Sequence, residues 1–210
     1  MLLSHLGHAT VLLETAGARI LIDPGAFSDA WHGLTDLDAV LVTHLHPDHL
    51  DPAHVPALLA ANPGARVLAE PAALATIGVA DPFTAGDVAT VGDVTITGVG
   101  GTHALIHADL PRIGNTGMLL RAEGEPTFFH PGDAYEYAPA GVDVLALPTF
   151  APWATLGFMI DFARAVGPAR SFPIHDGVLS PAGRAIFVQQ AAALAPGELV
   201  DLAGAGAVAF

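Results

Sequence analysis

The sequence predicts an α/β protein of two similar β-sheet units packed face to face, with helices on the outside. Three observations carry that prediction. Each half of the 210-residue chain holds a meander, then a continuous apolar strand that ends in a polar loop, then a helix. The apolar runs at 38–43 and 142–147 suit strands buried on both faces. Hydrophobic residues make up 52% and charged residues 13%, the balance of a compact protein and not of a disordered one. No linker or low-complexity stretch separates the halves, about 1–100 and 101–210, so a single domain is expected.

The elements follow in order. Residues 2–6 and 10–15 read as short strands broken at Gly7-His8, and Ala16-Gly17 turns the chain into a third strand at 18–22. Asp23-Pro24-Gly25 ends it. The buried strand at 38–43 leads to a polar loop, and 52–61 has helical composition, closed by Asn62-Pro63-Gly64. A strand at 66–69 and a short helix at 71–77 complete the half. Strands 88–91 and 94–99 pair around Gly92-Asp93, and 117–122 with 126–130 around Glu123-Gly124-Glu125. After the strand at 142–147 come a helix at 154–166 and a strand at 169–172. Ser180-Pro181 caps a helix reaching about Leu194, and strands at 198–202 and 205–210 close the chain.

Charge narrows the partners. Seven basic residues, all Arg, stand against 21 acidic ones, giving −14. That field repels nucleic acid and anionic membranes. There is no Cys, hence no disulfide, thiolate ligand or cysteine nucleophile. No secretory leader or membrane-length apolar run is recognised, so the expectation is a cytoplasmic protein with a small-molecule substrate and no nucleic-acid or membrane partner. Oligomeric state is left open.

The chemistry centres on His44-Leu45-His46-Pro47-Asp48-His49, three histidines and an aspartate in the spacing H-x-H-x-D-H. Imidazole and carboxylate are the usual ligands of a borderline divalent metal. The stretch lies between a buried strand and a helix, where α/β sheets place their sites. His103, Asp133 and His175 also stand at strand ends beside Gly or Pro. Five His and two Asp exceed one tetrahedral zinc and suit two metals sharing a carboxylate.

With these residues the chain resembles the metallo-β-lactamase superfamily, whose signature is H-x-H-x-D-H followed by a distant His, Asp and His. Leu6-Gly7-His8-Ala9 and Ile22-Asp23-Pro24 are further similar to a branch of uncharacterised metal-dependent hydrolases related to the L-ascorbate-6-phosphate lactonases. The resemblance implies a four-layer αβ/βα sandwich with the site at one edge of the two sheets. It assigns His44, His46 and His103 to one metal, Asp48, His49 and His175 to the other, and Asp133 to both. The cofactors it implies are two divalent ions, zinc first, with manganese, iron or nickel as alternatives. Two departures refine it. His46 stands where flavodiiron oxidoreductases of the superfamily carry Glu, and the missing Cys sets the chain apart from true zinc β-lactamases.

The implied activity is hydrolysis. A hydroxide held between two metals about 3.5–4 Å apart attacks an ester, lactone, amide or phosphodiester bond of a small metabolite. An anionic metabolite is expected from the net positive charge of the loaded site. Asp48, Asp133 and His8 are the candidate catalytic residues. An iron-dependent oxidoreductase and a metal-binding protein without catalysis are the alternatives. Around the ligands, Asp23 either orients a ligand histidine or caps a turn. His107, an alternative to His103, and Asn115 are candidates for lining the pocket. His130 reads as packing or ligand support, and Phe150 and Trp153 as an apolar pocket wall or core. His5, His32 and His54 are expected to be structural.

Overall fold

Alternation along the strands decides how the layers stack. In the computed structural model, which describes residues 1–210, the first sheet begins with β1 (Leu2–His5), β2 (Val11–Thr15) and β3 (Ala18–Ile22), an antiparallel meander. β4 (Ala39–Val42) then pairs parallel to β3. Helix α1 (Val55–Ala61) crosses to β5 (Arg66–Ala69), also parallel. A single 3-10 turn, Pro71–Ala73, precedes the one-turn helix α2 (Leu74–Ile77), and the edge strand β6 (Asp81–Pro82) follows.

The second sheet starts with the hairpin β7 (Val88–Val91) and β8 (Val94–Gly100), extended by β9 (Thr116–Arg121) and β10 (Phe128–His130). β11 (Val144–Pro148), helix α3 (Leu156–Val166) and β12 (Arg170–Ile174) continue in parallel. Helix α4 (Pro181–Leu194), β13 (Glu198–Leu199) and β14 (Val208–Ala209) end the chain. The strand orders are β14-β1-β2-β3-β4-β5-β6 and β13-β12-β11-β10-β9-β8-β7.

The sheets face each other across one core that includes Leu13, Ile20, Ile22, Leu41, Phe128 and Phe172. The alternate residues point outward. Leu21, Val40 and Val42 pack with Leu58 of α1 and Trp31, whereas Leu119, Leu145 and Leu147 pack with Met159, Ile160 and Phe162 of α3. Helix, sheet, sheet and helix therefore form the four-layer αβ/βα sandwich expected.

The differences from expectation are local. The chain changes sheet between β6 and β7, before residue 88 and not at 100, and β14 returns to the first sheet. The helix expected from 52 begins at Val55, because Asp51 caps the preceding turn through Ala53 N–H. The final strands shrink to two residues each. Glycines at 204 and 206, both in the left-handed region, leave no extended run between them. The two-residue β6 carried no alternating pattern to find. No helix is long and apolar enough to cross a membrane.

Candidate metal centre

The site forms where several strands end on one edge of the sandwich. β4 delivers His44, His46, Asp48 and His49; the chain leaving β8 delivers His103, that leaving β10 Asp133, and that leaving β12 His175. The β1–β2 turn adds His8 and the end of β3 adds Asp23. Three of these residues, His8 (φ 51°), Asp23 (φ 51°) and His175 (φ 59°), hold the left-handed backbone region that non-glycine residues avoid. The sheets are tied here: His175 N–H donates to His8 O at 2.7 Å, and Thr116 N–H donates to Thr43 O at 2.9 Å.

Two groups of donor atoms result, each within 4.8 Å of one another: His44, His46, His103 and Asp133, and His8, Asp48, His49 and His175. Asp133 touches both. Its Oδ2 lies 3.3 Å from His103 Nε2 and 3.2 Å from His175 Nε2, and its Oδ1 lies 3.0 Å from His49 Nε2. All seven residues expected to hold metal are thus brought together.

The hydrogen bonds behind the rings fix which nitrogen faces inward. His49 Nδ1–H donates to Asp23 Oδ2 at 2.7 Å, His103 Nδ1–H to Ala104 O at 2.7 Å, and His175 Nδ1–H to Phe150 O at 2.6 Å. Thr43 Oγ1 donates to Asp23 Oδ2 at 2.7 Å, so it accepts from His44 Nδ1 at 3.0 Å. Each of these rings turns its Nε2 lone pair into the cage. Nε2 of His49, His103 and His175 and Oδ1 of Asp133 are buried without a hydrogen-bond partner of proper geometry. The 3.0 Å approach of His49 Nε2 to Asp133 is a charge contact and not an aligned bond. Buried acceptors without donors are costly unless an electrophile meets them. This donor set fits divalent metal ions.

Electrostatics agree. Burial pushes the His44 and His46 rings down, with neighbouring histidines adding to the effect. Burial alone would raise Asp48 and Asp133. The close approach of the His175 ring and the hydrogen bond from His8 outweigh it at Asp48, and the charges of His175 and His49 at Asp133, so both carboxyls lie well below the usual range. At His49 and His175 burial is overcome by Asp133, with Asp23 helping at His49 and Asp48 at His175; His49 rises well above its usual value and His175 to about 9. The carboxylates around His49 and His175 thus make the cage a place that favours positive charge.

The surrounding residues have definite positions. His8 Nδ1 accepts from Gly177 N–H at 3.1 Å, so its Nε2–H donates to Asp48 Oδ2 at 3.0 Å. Burial holds its pKa down to about 4. The neutral ring therefore positions Asp48, and its inward nitrogen has no lone pair to offer a metal. Asp23 holds His49, as one of its two sequence readings has it. Asn115 Nδ2 donates to Pro131 O and its Oδ1 accepts from Asp133 N–H at 2.9 Å, which sets the loop that carries Asp133. His107 does not reach the cage. Its exposed ring accepts from Asp109 N–H, leaving His103 as the ligand candidate in that loop. His130 Nε2 donates to Ala9 O and its Nδ1 accepts from Gly132 N–H, so it supports the Asp133 turn from behind. His5 Nε2 donates to His8 O, and His32 stacks on His54 at 4.2 Å.

Trp153 lies against the His103 and His175 rings, its Nε1–H donating to Asp133 Oδ2 at 3.2 Å, whereas Phe150 packs on Phe187. Sequence reasoning missed Thr43. Its only signal was a hydroxyl at the end of a buried strand, directly before the first ligand. The backbone acceptors at Ala104 and Phe150 leave no sequence signal at all.

With this geometry in view, three comparisons bear on the chain. Residues 2–175 match the beta-lactamase superfamily domain. The chain is 41% identical to protein Rv0786c of Mycobacterium tuberculosis across 89% of both proteins. It is 32% identical to a UPF0173 metal-dependent hydrolase of Brucella anthropi, over 68% of this chain and 66% of that protein. Its fold superposes on the metallo-beta-lactamase fold protein YhfI from Bacillus subtilis with a TM-score of 0.70 and 15% identity, covering 95% of each chain.

Proposed function

Since the chain belongs to the metallo-β-lactamase superfamily, we propose that it is a metal-dependent hydrolase that cleaves an ester, lactone, amide or phosphodiester bond of a small molecule at a two-metal centre. One observation carries the reading: the partnerless, buried Nε2 atoms of His49, His103 and His175 converge on the carboxylate of Asp133, whose Oδ1 is itself without a partner. His44, His46 and His103 would hold one ion and Asp48, His49 and His175 the other, with Asp133 shared through its approach to His49 and His175. Zinc suits this nitrogen and oxygen set best. Bound there, the metals would supply Lewis acidity toward a carbonyl or phosphoryl oxygen and a water acidic enough to attack near neutral pH.

The chain's own residues do the positioning. Asp23 and the carbonyls of Ala104 and Phe150 lock three imidazoles in the tautomer that presents Nε2. His8 aims Asp48, and Trp153 and Asn115 aim Asp133. His8 is thus a positioning residue in this reading, while Asp48 and Asp133 stand at the reacting centre.

The anionic substrate expected from the loaded site's charge gains no support from the walls. Arg112, the one arginine of the loop 104–116, is spent on His103 O and Glu136. Metal analysis of the purified protein, joined to a panel of ester, lactone, amide and phosphodiester substrates, tests the proposal. We expect about two metals per chain, and joint loss of metal and activity in His46→Ala. Fewer than about one metal per chain, or an active His46→Ala, would refute it.

A further inference from the structure

A cleft of about 540 Å³ abuts the metal centre. Trp153 forms the shared wall, with its ring 6.1 Å from that of His103 and 6.3 Å from that of His175. Tyr135 packs on Trp153 at 4.7 Å, and Phe158 and Phe162 of α3 add to the lining. The polar ends of both shared aromatics are already used. Trp153 donates to Asp133 and Tyr135 donates to Pro148 O, so the cleft sees ring surface and no free donor from either.

No basic residue lines the cleft, and its two charged groups are the carboxylates of Glu136 and Asp161. Glu136 is paired with Arg112, and Asp161 is exposed on α3. Large apolar side chains stand exposed here: Leu105 and Phe158 line the cleft, and Phe27 has its ring 4.9 Å from His8. Surface of this kind next to a reaction centre marks where a ligand sits, and the carboxylates disfavour an anion there.

We propose that this cleft receives an uncharged alkyl or aryl arm of the substrate, attached next to the bond that is cut. The inference rests on the metal-dependent hydrolase reading and replaces the anionic metabolite with an apolar, neutral one. A substrate with its scissile group at the cage lays the adjoining carbons along Trp153 and toward Phe158.

Hydroxamates test the two claims separately, because their head binds metal and their tail can be varied. Binding to the zinc-loaded protein is read by calorimetry and by quenching of tryptophan fluorescence, so no turnover is required. Affinity should rise about fourfold per buried methylene from acetohydroxamate to hexanohydroxamate. A tail of equal length ending in carboxylate should bind more weakly than its methyl-ended counterpart. Phe158→Glu, at an exposed position, should erase most of the gain and leave acetohydroxamate unchanged.

Equal binding along the series, or tighter binding of the carboxylate tail, would overturn the cleft assignment while leaving the metal reading intact. Absence of any binding, acetohydroxamate included, would sink the metal reading and the cleft with it. If Phe158→Glu converts a dimer to monomers in sedimentation, the cleft is a contact between copies, and the proposal fails.

Discussion

His49 presents its Nε2 to the cage because Asp23, fully buried, holds the other nitrogen and also accepts from Thr43 N–H and Oγ1. Replacing Asp23 with Asn keeps the size but removes the charge behind the ligand. Partners of this kind cost about 10- to 100-fold in metal affinity when changed. Asp23→Asn should therefore weaken zinc binding by that factor in a competition titration against a chelating dye, and an unchanged affinity would show that the contact is incidental. Gly25, two residues on, makes a different demand. A Cβ there would lie 1.7 Å from the carbonyl oxygen of Asp48, a backbone atom that cannot rotate away. Gly25→Ala must push the ligand loop outward. We expect a loss of about 1–3 kcal/mol in urea unfolding together with reduced metal content, and full metal content would contradict the close approach.

At the scale of elements, α4 packs loosely: along its length only Ala191 is buried, and Ile186 and Leu194 are exposed. Arg184 ties it down, donating to Asp176 at 2.6 Å, directly after His175, and to both carboxylate oxygens of Asp201 near the C-terminus. The Arg184 hydrogen bonds hold the Asp201 carboxyl below its usual range. A depressed carboxyl contributes stability that is complete above its unfolded value of about 3.9 and is lost as pH falls through the lower folded value. The pair is partly exposed, so Arg184→Gln should cost only about 1 kcal/mol near pH 7, and that difference should shrink toward pH 3. Urea midpoints of both proteins at the two pH values check this, and a difference that grows on acidification would reverse the sign.

Elements were also the most legible scale in the sequence. Ser180 marked a helix start because its hydroxyl accepts from Gly183 N–H, a local bond that local sequence encodes. The continuous apolar runs at β4 and β11 were readable because each strand is covered on both faces. β6, and the short lengths of β13 and β14, were not readable, since two-residue pairings are set by neighbouring strands and not by a pattern of their own. In the site, the ligand candidates were legible because imidazoles and carboxylates in that spacing have few other uses. Their supports were not, because a backbone carbonyl at Ala104 or Phe150 looks like any other. The cleft was hidden for a further reason: Tyr135, Trp153 and Phe158 lie on three different segments that only the fold brings together.

At the scale of the whole molecule, the cage is a seam. His44, His46, Asp48 and His49 leave β4 of the first sheet, whereas His103, Asp133 and His175 leave β8, β10 and β12 of the second. Ions held by both sets would bind the folded sandwich and not the unfolded chain, and so would stabilise it by mass action, about 2.7 kcal/mol for one site at a free concentration 100 times its dissociation constant. For a domain of this length each kcal/mol moves the midpoint by roughly 2–4 °C. Stripping the protein with a chelator should therefore lower Tm by about 5–10 °C, and readdition of zinc should restore it. The ligating imidazoles must be free of protons to bind, so the gap between loaded and stripped protein should narrow as the solution is made acidic. His46→Ala, at a partly buried position on the seam, should lose most of that gap while its stripped form melts close to the stripped wild type. A chelator-insensitive melt in a protein shown by elemental analysis to have been stripped would mean that the two sheets hold together without help from the cage, and that the seam serves chemistry alone.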